Sequence, residues 1–318
     1  MRDRILICTV LVLGVFASVC NAQETTYKIS IIDKSTMESV PYARVSFGHF
    51  DGVYSDSNGQ FTVTTGLPDS IAISHLSFKD TIVLPSKIVD NIIFLTPVSY
   101  SLNEVMVTKF TGSLSKKGTT EGEHHSGYGP FPFTINALYI PYDESWDEAP
   151  QVNEIFLDLS ITRNSNATIQ YYLSMPDPLS GSPNGKALSK QSQLELDRRD
   201  NKIKNRYYSK VEQPFIFPKT GFFIVFFVAD ATYSYTEMLS EWGTKKFKMS
   251  KYMPFSFYLT AETNESRSWF LNVYSEEASW RICDHNNIDW NKIVAGMKVE
   301  NDGHTYNFMG GVIVQLPK

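Results

Sequence analysis

The strongest constraint on the fold is an alternation of apolar and polar residues that recurs in short segments along most of the chain. In one segment Ala43, Val45 and Phe47 would share one face of a strand while Arg44 and Ser46 occupy the other, as the two-residue period of a strand requires. Turn-forming residues interrupt the pattern roughly every 8 to 12 residues, and no apolar run of similar strength has helical spacing. Together with an aromatic content of 14%, this pattern predicts an all-β protein.

The N-terminal part of the chain is predicted to form one β-sandwich over residues 24–108. Further strands of this domain are expected at Tyr27–Asp33, Ile71–Ser74, Thr81–Leu84, Ile92–Leu95 and Glu104–Thr108. Between Tyr54 and Phe61, the segment Asp56-Ser57-Asn58-Gly59 predicts a hairpin turn in which Asn58 or Gly59 adopts a positive φ. A calcium-binding loop is the alternative, but the segment lacks the further acidic ligands and the closing Glu of such a loop.

Several motifs of this region resemble a known family. They are Asp33, Val40–Val45, Ser55–Phe61 and Ile71–Ser74. These motifs look like those of the carboxypeptidase-regulatory-like domain, a transthyretin-like β-sandwich. The ending Ile93–Pro97, followed by Leu102–Thr108, is similar to the version of that domain found ahead of TonB-dependent outer-membrane receptors.

The resemblance implies an accessory or interaction domain that has no peptidase chemistry of its own. A receptor of that class would also need about 220 residues in the strands of its 22-stranded barrel. Only 209 residues follow Lys109 (318 minus 109). We therefore expect the resemblance to be limited to the accessory domain, without the receptor's plug and barrel.

The first 22 residues have the three-part layout of a secretory signal peptide. Arg2 and Arg4 precede the apolar run Ile5–Val19, and small residues follow before Gln23. The apolar run is shorter than the about 20 residues of a membrane-spanning helix. We therefore expect cleavage after Ala22 and export to the periplasm, outer membrane or cell surface of a Gram-negative bacterium.

The three cysteines bear on anchoring and on the compartment. Cys20 could instead carry a lipid anchor, but Val19 stands where a lipoprotein signal has a small residue. Removing the signal peptide takes Cys8 and Cys20 away, so Cys283 would be left without an internal disulfide partner. An exported protein of this size without disulfides favours a bacterial cell envelope.

The rest of the chain is predicted to be a linker over residues 109–132, rich in Gly, Ser, Lys and Pro, and a jelly-roll-like β-sandwich over residues 133–318. The strands expected there are Phe133–Ile140, Glu154–Ile161, Thr168–Met175, Tyr207–Val211, Phe222–Val228, Phe255–Thr260, Trp269–Tyr274, Ser279–Cys283 and Gly311–Leu316. Phe222–Val228 is apolar at every position, which predicts a strand covered on both faces. One helical turn is expected at Glu237–Trp242, and the charged stretch Gln191–Arg206 predicts a solvated loop or a frayed helix.

Four histidines are the candidate metal ligands. His124 and His125, preceded by Glu123, could bind a metal ion together with His285 or His304. Adjacent histidines rarely face the same ion, however, and a Gly-rich linker offers no preformed cage. We therefore predict no metal site.

Two short motifs contain the residue types of a nucleophilic site. Cys283-Asp284-His285 combines a thiol, a carboxylate and an imidazole, but neighbouring residues of a strand point to opposite faces. Ser113–Lys116 fits the Ser-x-x-Lys pattern only as a string of letters, since that chemistry needs a helix in a closed site. The sequence therefore predicts neither a catalytic site nor a cofactor site.

The tryptophans are the remaining candidates for ligand binding. They are Trp146, Trp242, Trp269, Trp280 and Trp290. With the abundant tyrosines they could form a platform on which sugar rings stack. Packing in the core explains the same residues equally well, because aromatic side chains dominate burial in β domains.

A non-catalytic envelope protein is therefore the leading hypothesis, with the N-terminal sandwich contacting a protein partner and the C-terminal sandwich binding protein or glycan. The alternative is a polysaccharide hydrolase in which two of Asp143, Glu144, Asp147 and Glu148 supply the carboxylate pair. The net charge of −5 and the lack of a long Lys/Arg cluster make nucleic acid an unsuitable partner.

Overall fold

The computed structural model describes most of the chain from residue 26 onward. The described residues are 26–48, 51–64, 67–98, 110–120, 125–128, 133–161, 167–194, 206–232, 235–241, 243–246, 248, 255–260, 265, 267–273, 279–282 and 307–318. The predicted signal peptide and the predicted strand Glu104–Thr108 lie outside them.

Nearly all regular structure in these residues is β-strand. The N-terminal strands are β1 (Tyr27–Asp33), β2 (Arg44–Ser46), β3 (Gly52–Tyr54), β4 (Gln60–Val63), β5 (Ile71–Ser74), β6 (Thr81–Val83) and β7 (Ile92–Leu95), with a 3-10 helix at Pro85–Lys87. The later strands are β8 (Leu114–Thr119), β9 (His125–Tyr128), β10 (Thr134–Ile140), β11 (Gln151–Ile161), β12 (Thr168–Ser174), β13 (Ser192–Gln193), β14 (Arg206–Ile216), β15 (Phe222–Ala229), β16 (Phe255–Thr260), β17 (Ser268–Asn272), β18 (Arg281–Ile282), β19 (Asn307–Phe308) and β20 (Gly310–Gln315). The prediction of an all-β protein is confirmed.

The N-terminal strands form two sheets that share one core. The three-stranded sheet has the order β4-β1-β7 and the four-stranded sheet the order β3-β2-β5-β6. Ile29 and Ile31 of β1 pack in one apolar cluster with Val45 of β2 and Ile73 of β5, so the two sheets face each other as a sandwich. Because the alternation determines which side chains can enter that core, the predicted strand at Tyr27–Asp33 matches β1 residue for residue.

The turn at residues 56–59 forms as predicted, but it does not join a hairpin. Asp56 Oδ1 accepts hydrogen bonds from the backbone N–H groups of Asn58 and Gln60, both at 2.8 Å, and Gly59 has a φ of 70°. The strands on either side nevertheless pair in different sheets, β3 with β2 and β4 with β1. The hairpin prediction is therefore wrong, because the chain crosses from one sheet to the other here.

Ser55 holds the corner between the two sheets. Its hydroxyl accepts a hydrogen bond from the N–H of Ala43 at 2.8 Å and donates one to the carbonyl of Val40 at 3.1 Å. These bonds satisfy backbone groups that leave the sheet ladder at the corner. Ser55 is itself buried, so the corner is part of the sandwich interior.

The later strands form a second sandwich. A six-stranded sheet with the order β13-β12-β15-β10-β17-β18 faces a seven-stranded sheet in which β19-β16-β11-β20-β8 is the main path. Within the seven-stranded sheet β14 pairs with β11 and β9 with β16. Leu138, Ile155, Leu157 and Val312 are completely buried in the core between the two sheets. All nine strands predicted for this region overlap an observed strand.

Strand β15 lies between β12 and β10 and is buried on both faces along its whole length. Phe226 points into the core between the two large sheets, whereas Phe223 and Phe227 belong to clusters on the opposite face of the six-stranded sheet. The prediction of a strand covered on both faces is confirmed. It also means that other parts of the chain must cover the outer face of this sheet.

The described parts of residues 109–132, which are 110–120 and 125–128, are not a structureless linker, and this corrects the sequence interpretation. Within this segment β8 pairs antiparallel with β20, with Gly118 opposite Gly311, and β9 pairs with β16. The Gly residue that suggested flexibility instead allows a close approach of two backbones. Strands β8 and β9 therefore belong to the second sandwich.

The described part of the charged stretch Gln191–Arg206 also differs from the solvated loop that was predicted. Ser192–Gln193 forms β13, and Arg206 begins β14 with only 2% of its surface exposed. Its charge is buried because Asp158 of β11 pairs with it. The helical turn expected at Glu237–Trp242 is present as α1 (Tyr235–Glu241).

Within the part of the chain that the structure describes, no helix has the length and apolar character needed to span a membrane.

Candidate functional site

A cleft of about 520 Å³ lies between the N-terminal sandwich and the six-stranded sheet. One wall is the outer face of the four-stranded sheet, and the other is the outer face of the six-stranded sheet. The residues that line it include Tyr42, Arg44, Tyr54, His75, Phe78, Lys79, Asp80, Ile135, Tyr172, Asn184, Gln191, Phe227 and Trp280. The cleft therefore combines aromatic rings with polar and charged groups from distant parts of the chain.

Arg44 is at the centre of the N-terminal wall. It lies on β2 directly between Tyr54 of β3 and Ser74 of β5 in the sheet register. Its neighbours Ala43 and Val45 are fully buried in the sandwich core, so the alternation of the strand places Arg44 on the outer face. The same alternation puts Tyr54 and Ser74 beside it.

The opposite wall is apolar at its centre and polar toward its rim. Phe227, Ile135 and Tyr172 come from the adjacent strands β15, β10 and β12 and lie together on the outer face of the six-stranded sheet. The ring of Tyr54 stacks on that of Phe227, with 5.4 Å between centroids and 21° between planes. This stacked pair joins the two walls and forms the floor where they meet.

Two hydrogen bonds also connect the sandwiches. The Tyr42 hydroxyl donates to Gln193 Oε1 at 3.3 Å, and the N–H of Thr236 donates to Asp51 Oδ1 at 3.3 Å. Tyr42 follows Pro41 and has a φ of 57°, a left-handed conformation that disfavours residues other than glycine by about 1–2 kcal/mol. The turn thus holds the Tyr42 ring toward the second sandwich.

Trp280 forms part of the rim. Its indole Nε1 donates a hydrogen bond to Asn184 Oδ1 at 2.8 Å, and its ring is partly buried against the outer face of the six-stranded sheet. Because the polar edge of the indole is engaged, the orientation of the ring is set before any ligand arrives. A ring fixed in this way can provide a flat apolar surface to a ligand at low entropic cost.

Tyr54 carries an unsatisfied hydroxyl. The residue is 2% exposed, and its oxygen has no hydrogen-bond partner among the residues that the structure describes. Burial raises the pKa of Tyr54 above its usual value, although the nearby charge of Arg44 acts in the opposite direction. The hydroxyl therefore keeps its proton and remains a potential hydrogen-bond donor.

His75 is neutral in the folded protein. Burial lowers the pKa of His75 to about 4, and its Nδ1 accepts a hydrogen bond from the backbone N–H of Ser77 at 3.1 Å. Because Nδ1 acts as an acceptor, the proton of the neutral ring is on Nε2. The ring also packs edge-on against Phe78 at 5.3 Å between centroids.

We expect the stability of the protein to fall on acidification because of His75. In the unfolded chain its pKa is about 6.5, so unfolding takes up a proton between pH 6.5 and pH 4. The free energy of unfolding should therefore decrease by about 1–3 kcal/mol across this window. The decrease should be smaller in a His75→Gln variant, which urea unfolding at pH 7, 6, 5 and 4 would measure. Parallel pH profiles for the two proteins would contradict the assignment.

The structure separates the three described tryptophans, which the sequence offered as either a sugar platform or core residues. Trp280 lines the cleft, and Trp269 lies on the same sheet face but outside it, packed against Phe223. Trp146 packs instead against Tyr142 and Phe217 at the edge of the core. The other two tryptophans, at positions 242 and 290, lie outside the described residues. Of the described tryptophans, Trp280 is the one that the fold makes available to the cleft.

The acidic residues of the alternative hypothesis lie away from the cleft. Hydrogen bonds from Lys117 and Ser145 hold the pKa of Asp143 below its usual range, and Lys117 also forms an ion pair with it. Such a carboxylate stays ionised and is unsuited to the role of a general acid. Glu144, Asp147 and Glu148 are exposed beside it.

The other predicted motifs are only partly described. His124, Cys283-Asp284-His285 and His304 lie outside the described residues, and of His125 only the backbone in β9 is described. In the rest of the chain for which the structure gives positions, no group of three or more metal-binding side chains is present. Lys116 lies in β8, where its ammonium group donates to the Tyr208 hydroxyl at 3.4 Å, so Ser113–Lys116 is not in the helix that Ser-x-x-Lys chemistry needs.

Sequence reasoning did not identify Arg44, Tyr54, His75 or Asn184 as site residues. The alternation predicts the strand faces of Arg44 and Tyr54, but it does not predict which sheet lies opposite them. His75 and Asn184 lie in loops, where no such alternation applies. A usable signal was the apolar run of β15, because a strand buried on both faces requires a cover for its outer face. That cover comes partly from Tyr42 and Tyr54 of the other sandwich.

No protein-family model matches the chain, and no curated protein matches its sequence.

Proposed function

We propose that this protein is a non-catalytic binding protein of a bacterial cell envelope and that it binds a glycan in the cleft between its two sandwiches. The observation that carries the proposal is the cleft itself. Its volume of about 520 Å³ lies within the roughly 300–1,000 Å³ of sites that hold small ligands. Its wall combines flat aromatic rings with amide side chains, as described above.

A sugar fits this combination of groups. A pyranose ring has an apolar face, which the rings of Trp280 and Tyr172 can cover, and a rim of hydroxyl groups. Asn184 and Gln191 line the same cleft, and an amide can both donate to and accept from a hydroxyl. Aromatic side chains with a polar edge are well suited to ligands that are apolar on one side and polar on the other.

A peptide added as an extra strand fits less well, because that mode of binding needs a free strand edge. The walls of the cleft are sheet faces. Strand β2 lies between β3 and β5, and β15 lies between β12 and β10. Their backbone groups are therefore already paired.

Hydrolysis of a polysaccharide is also less well supported by the cleft. That chemistry uses two carboxyl groups about 5–10 Å apart. Among the described residues that line the cleft, Asp80 is the one acidic side chain. The cleft therefore supports binding better than cleavage.

The remaining parts of the proposal rest on the sequence. The signal-peptide layout supports export to the envelope, and the likeness to a carboxypeptidase-regulatory-like domain supports contact between the N-terminal sandwich and a protein partner. The outer strands β6 and β7 of that sandwich carry Ile82, 75% exposed, and Phe94, 44% exposed. Apolar side chains on edge strands are compatible with a protein-contact role.

A comparison of two tryptophan variants tests the glycan site. The wild-type protein should be retained by at least one polymer in a glycan array and in affinity gel electrophoresis. Trp280→Ala should weaken that binding about tenfold, because a stacked aromatic contact contributes about 1–1.5 kcal/mol. Trp269→Ala is the matched control on the same sheet face outside the cleft and should bind as the wild type does.

Circular dichroism should show that both variants remain folded. The proposal would be abandoned if no glycan bound to the wild-type protein, or if Trp280→Ala and Trp269→Ala bound a retained glycan equally well.

A further inference from the structure

We infer that the ligand of the cleft is an acidic saccharide of the uronic-acid class and that Arg44 binds its carboxylate. This inference rests on the proposed glycan-binding function and adds the chemical class of the ligand. It is carried by an arginine and a buried hydroxyl that lie side by side, neither of them with a hydrogen-bonding or charged partner among the described residues.

Arg44 is a partly buried cation without a counterion. Among the residues that the structure describes, its guanidinium group forms no side-chain hydrogen bond or ion pair. Keeping a charge partly out of water without a partner is unfavourable. An anionic group of a ligand would therefore offset a free-energy cost that the protein has in its unbound state. The planar fork of a guanidinium group matches the two oxygens of a carboxylate.

Two other arginines of the described chain, Arg206 and Arg267, differ from Arg44 in this respect, whereas Arg281 is exposed. Arg206 forms two hydrogen bonds to Asp158 at 2.6 and 2.7 Å, and Arg267 forms an ion pair with Glu265 at 3.4 Å. Both have carboxylate partners within the protein. Arg44 lines the cleft and has none there, which indicates a partner from outside.

The charges around Arg44 favour an anion with a single charge. Lys79 adds a second positive charge to the wall, and Asp80 adds one negative charge. His75 is neutral near pH 7, as shown above. The wall therefore has an excess of one positive charge, although the chain as a whole has a net charge of −5.

The hydroxyl of Tyr54 completes the proposed site. Tyr54 is directly opposite Arg44 in the pairing of β2 with β3, so its side chain lies next to the guanidinium group on the same face. Its protonated and unpartnered hydroxyl can donate to an oxygen of the same ligand. The ring of Trp280, farther along the rim, would then cover a sugar ring of that ligand.

The test uses pairs of probes that differ only in charge. Oligogalacturonides, alginate oligosaccharides and hyaluronan oligosaccharides are each compared with their methyl esters by isothermal titration calorimetry against the full-length mature protein. We expect at least one acidic oligosaccharide to bind about tenfold to hundredfold more tightly than its ester, because hydrogen bonds to charged groups are stronger than neutral ones. The preference should decrease as the salt concentration rises.

Substitutions at the cleft assign the preference to Arg44. Arg44→Met should abolish the difference between acid and ester, and Arg44→Lys should keep part of it, because lysine retains the charge but not the fork. Lys87→Met, which removes an exposed cation of the same sandwich outside the cleft lining, is the matched control and should retain the preference. Trp280→Ala should weaken the binding of acid and ester alike.

The outcomes separate this inference from the function on which it rests. Equal binding of acids and esters, or binding of neutral glycans alone, would overturn the acidic ligand and leave glycan binding intact. A preference that survives Arg44→Met would overturn the role of Arg44. Binding of no glycan, acidic or neutral, would overturn both proposals.

Discussion

Replacing Asp158 by asparagine should destabilise the protein by about 3–5 kcal/mol, because it leaves the charge of Arg206 buried without a counterion. Asp158 is completely buried and Arg206 is 2% exposed. The guanidinium group also lies 4.4 Å from the centre of the Phe156 ring, so the ring covers part of it. Urea unfolding at neutral pH would measure the loss as a lower transition midpoint.

The double variant Asp158→Leu/Arg206→Met is the matched control. It removes both charges and fills the space with apolar atoms, so it should recover most of the lost stability. If the single and double variants were equally unstable, the loss would come from packing and not from an unpaired charge. If Asp158→Asn unfolded at the same urea concentration as the wild type, the buried pair would not stabilise the second sandwich.

Replacing Gly118 by alanine should destabilise the second sandwich by about 3 kcal/mol or more. Gly118 has a φ of 141°, and a Cβ atom there would overlap the carbonyl oxygen of Gly310 and lie 2.5 Å from Cα of Gly311. These contacts are with backbone, which cannot move aside as a side chain can. Strand β8 should therefore separate from β20, and limited proteolysis should cut within residues 110–120.

Gly181 provides the control for the backbone conformation alone. It also has a positive φ, 68°, but a Cβ atom there would meet nothing within 4 Å. Gly181→Ala should therefore cost only about 1 kcal/mol and leave residues 110–120 resistant to protease. Similar losses of stability in the two variants would show that the approach of β8 to β20 is not what requires glycine at position 118.

The contrast between these two glycines also shows what a local pattern can miss. Gly118 suggested a flexible linker because glycine and polar residues surround it, yet the segment is a strand of the seven-stranded sheet. The close approach depends on Gly310 and Gly311, almost 200 residues later in the chain (310 minus 118 is 192). A pattern that extends over a few neighbouring residues contains no information about such a distant partner.

The same reason explains the two other corrections to the fold. The turn around Gly59 was predicted from its own residues. Strand β4 nevertheless pairs with β1 and not with β3, and this pairing depends on how the two sheets pack on their shared core. Arg206 was assigned to a solvated stretch because charges are usually exposed. Its burial depends on Asp158, which lies on a strand 48 residues earlier.

The sequence by itself determined most of the strands, the side of those strands that is buried, and the requirement for a cover on both faces of β15. It did so because the two-residue period of a strand and the exclusion of polar groups from a core act locally. Only the tertiary structure decided which strands pair and which outer faces meet, because those choices depend on contacts between residues far apart in the chain. The cleft, with Arg44 and Tyr54 opposite Phe227 and Trp280, exists because of these long-range contacts.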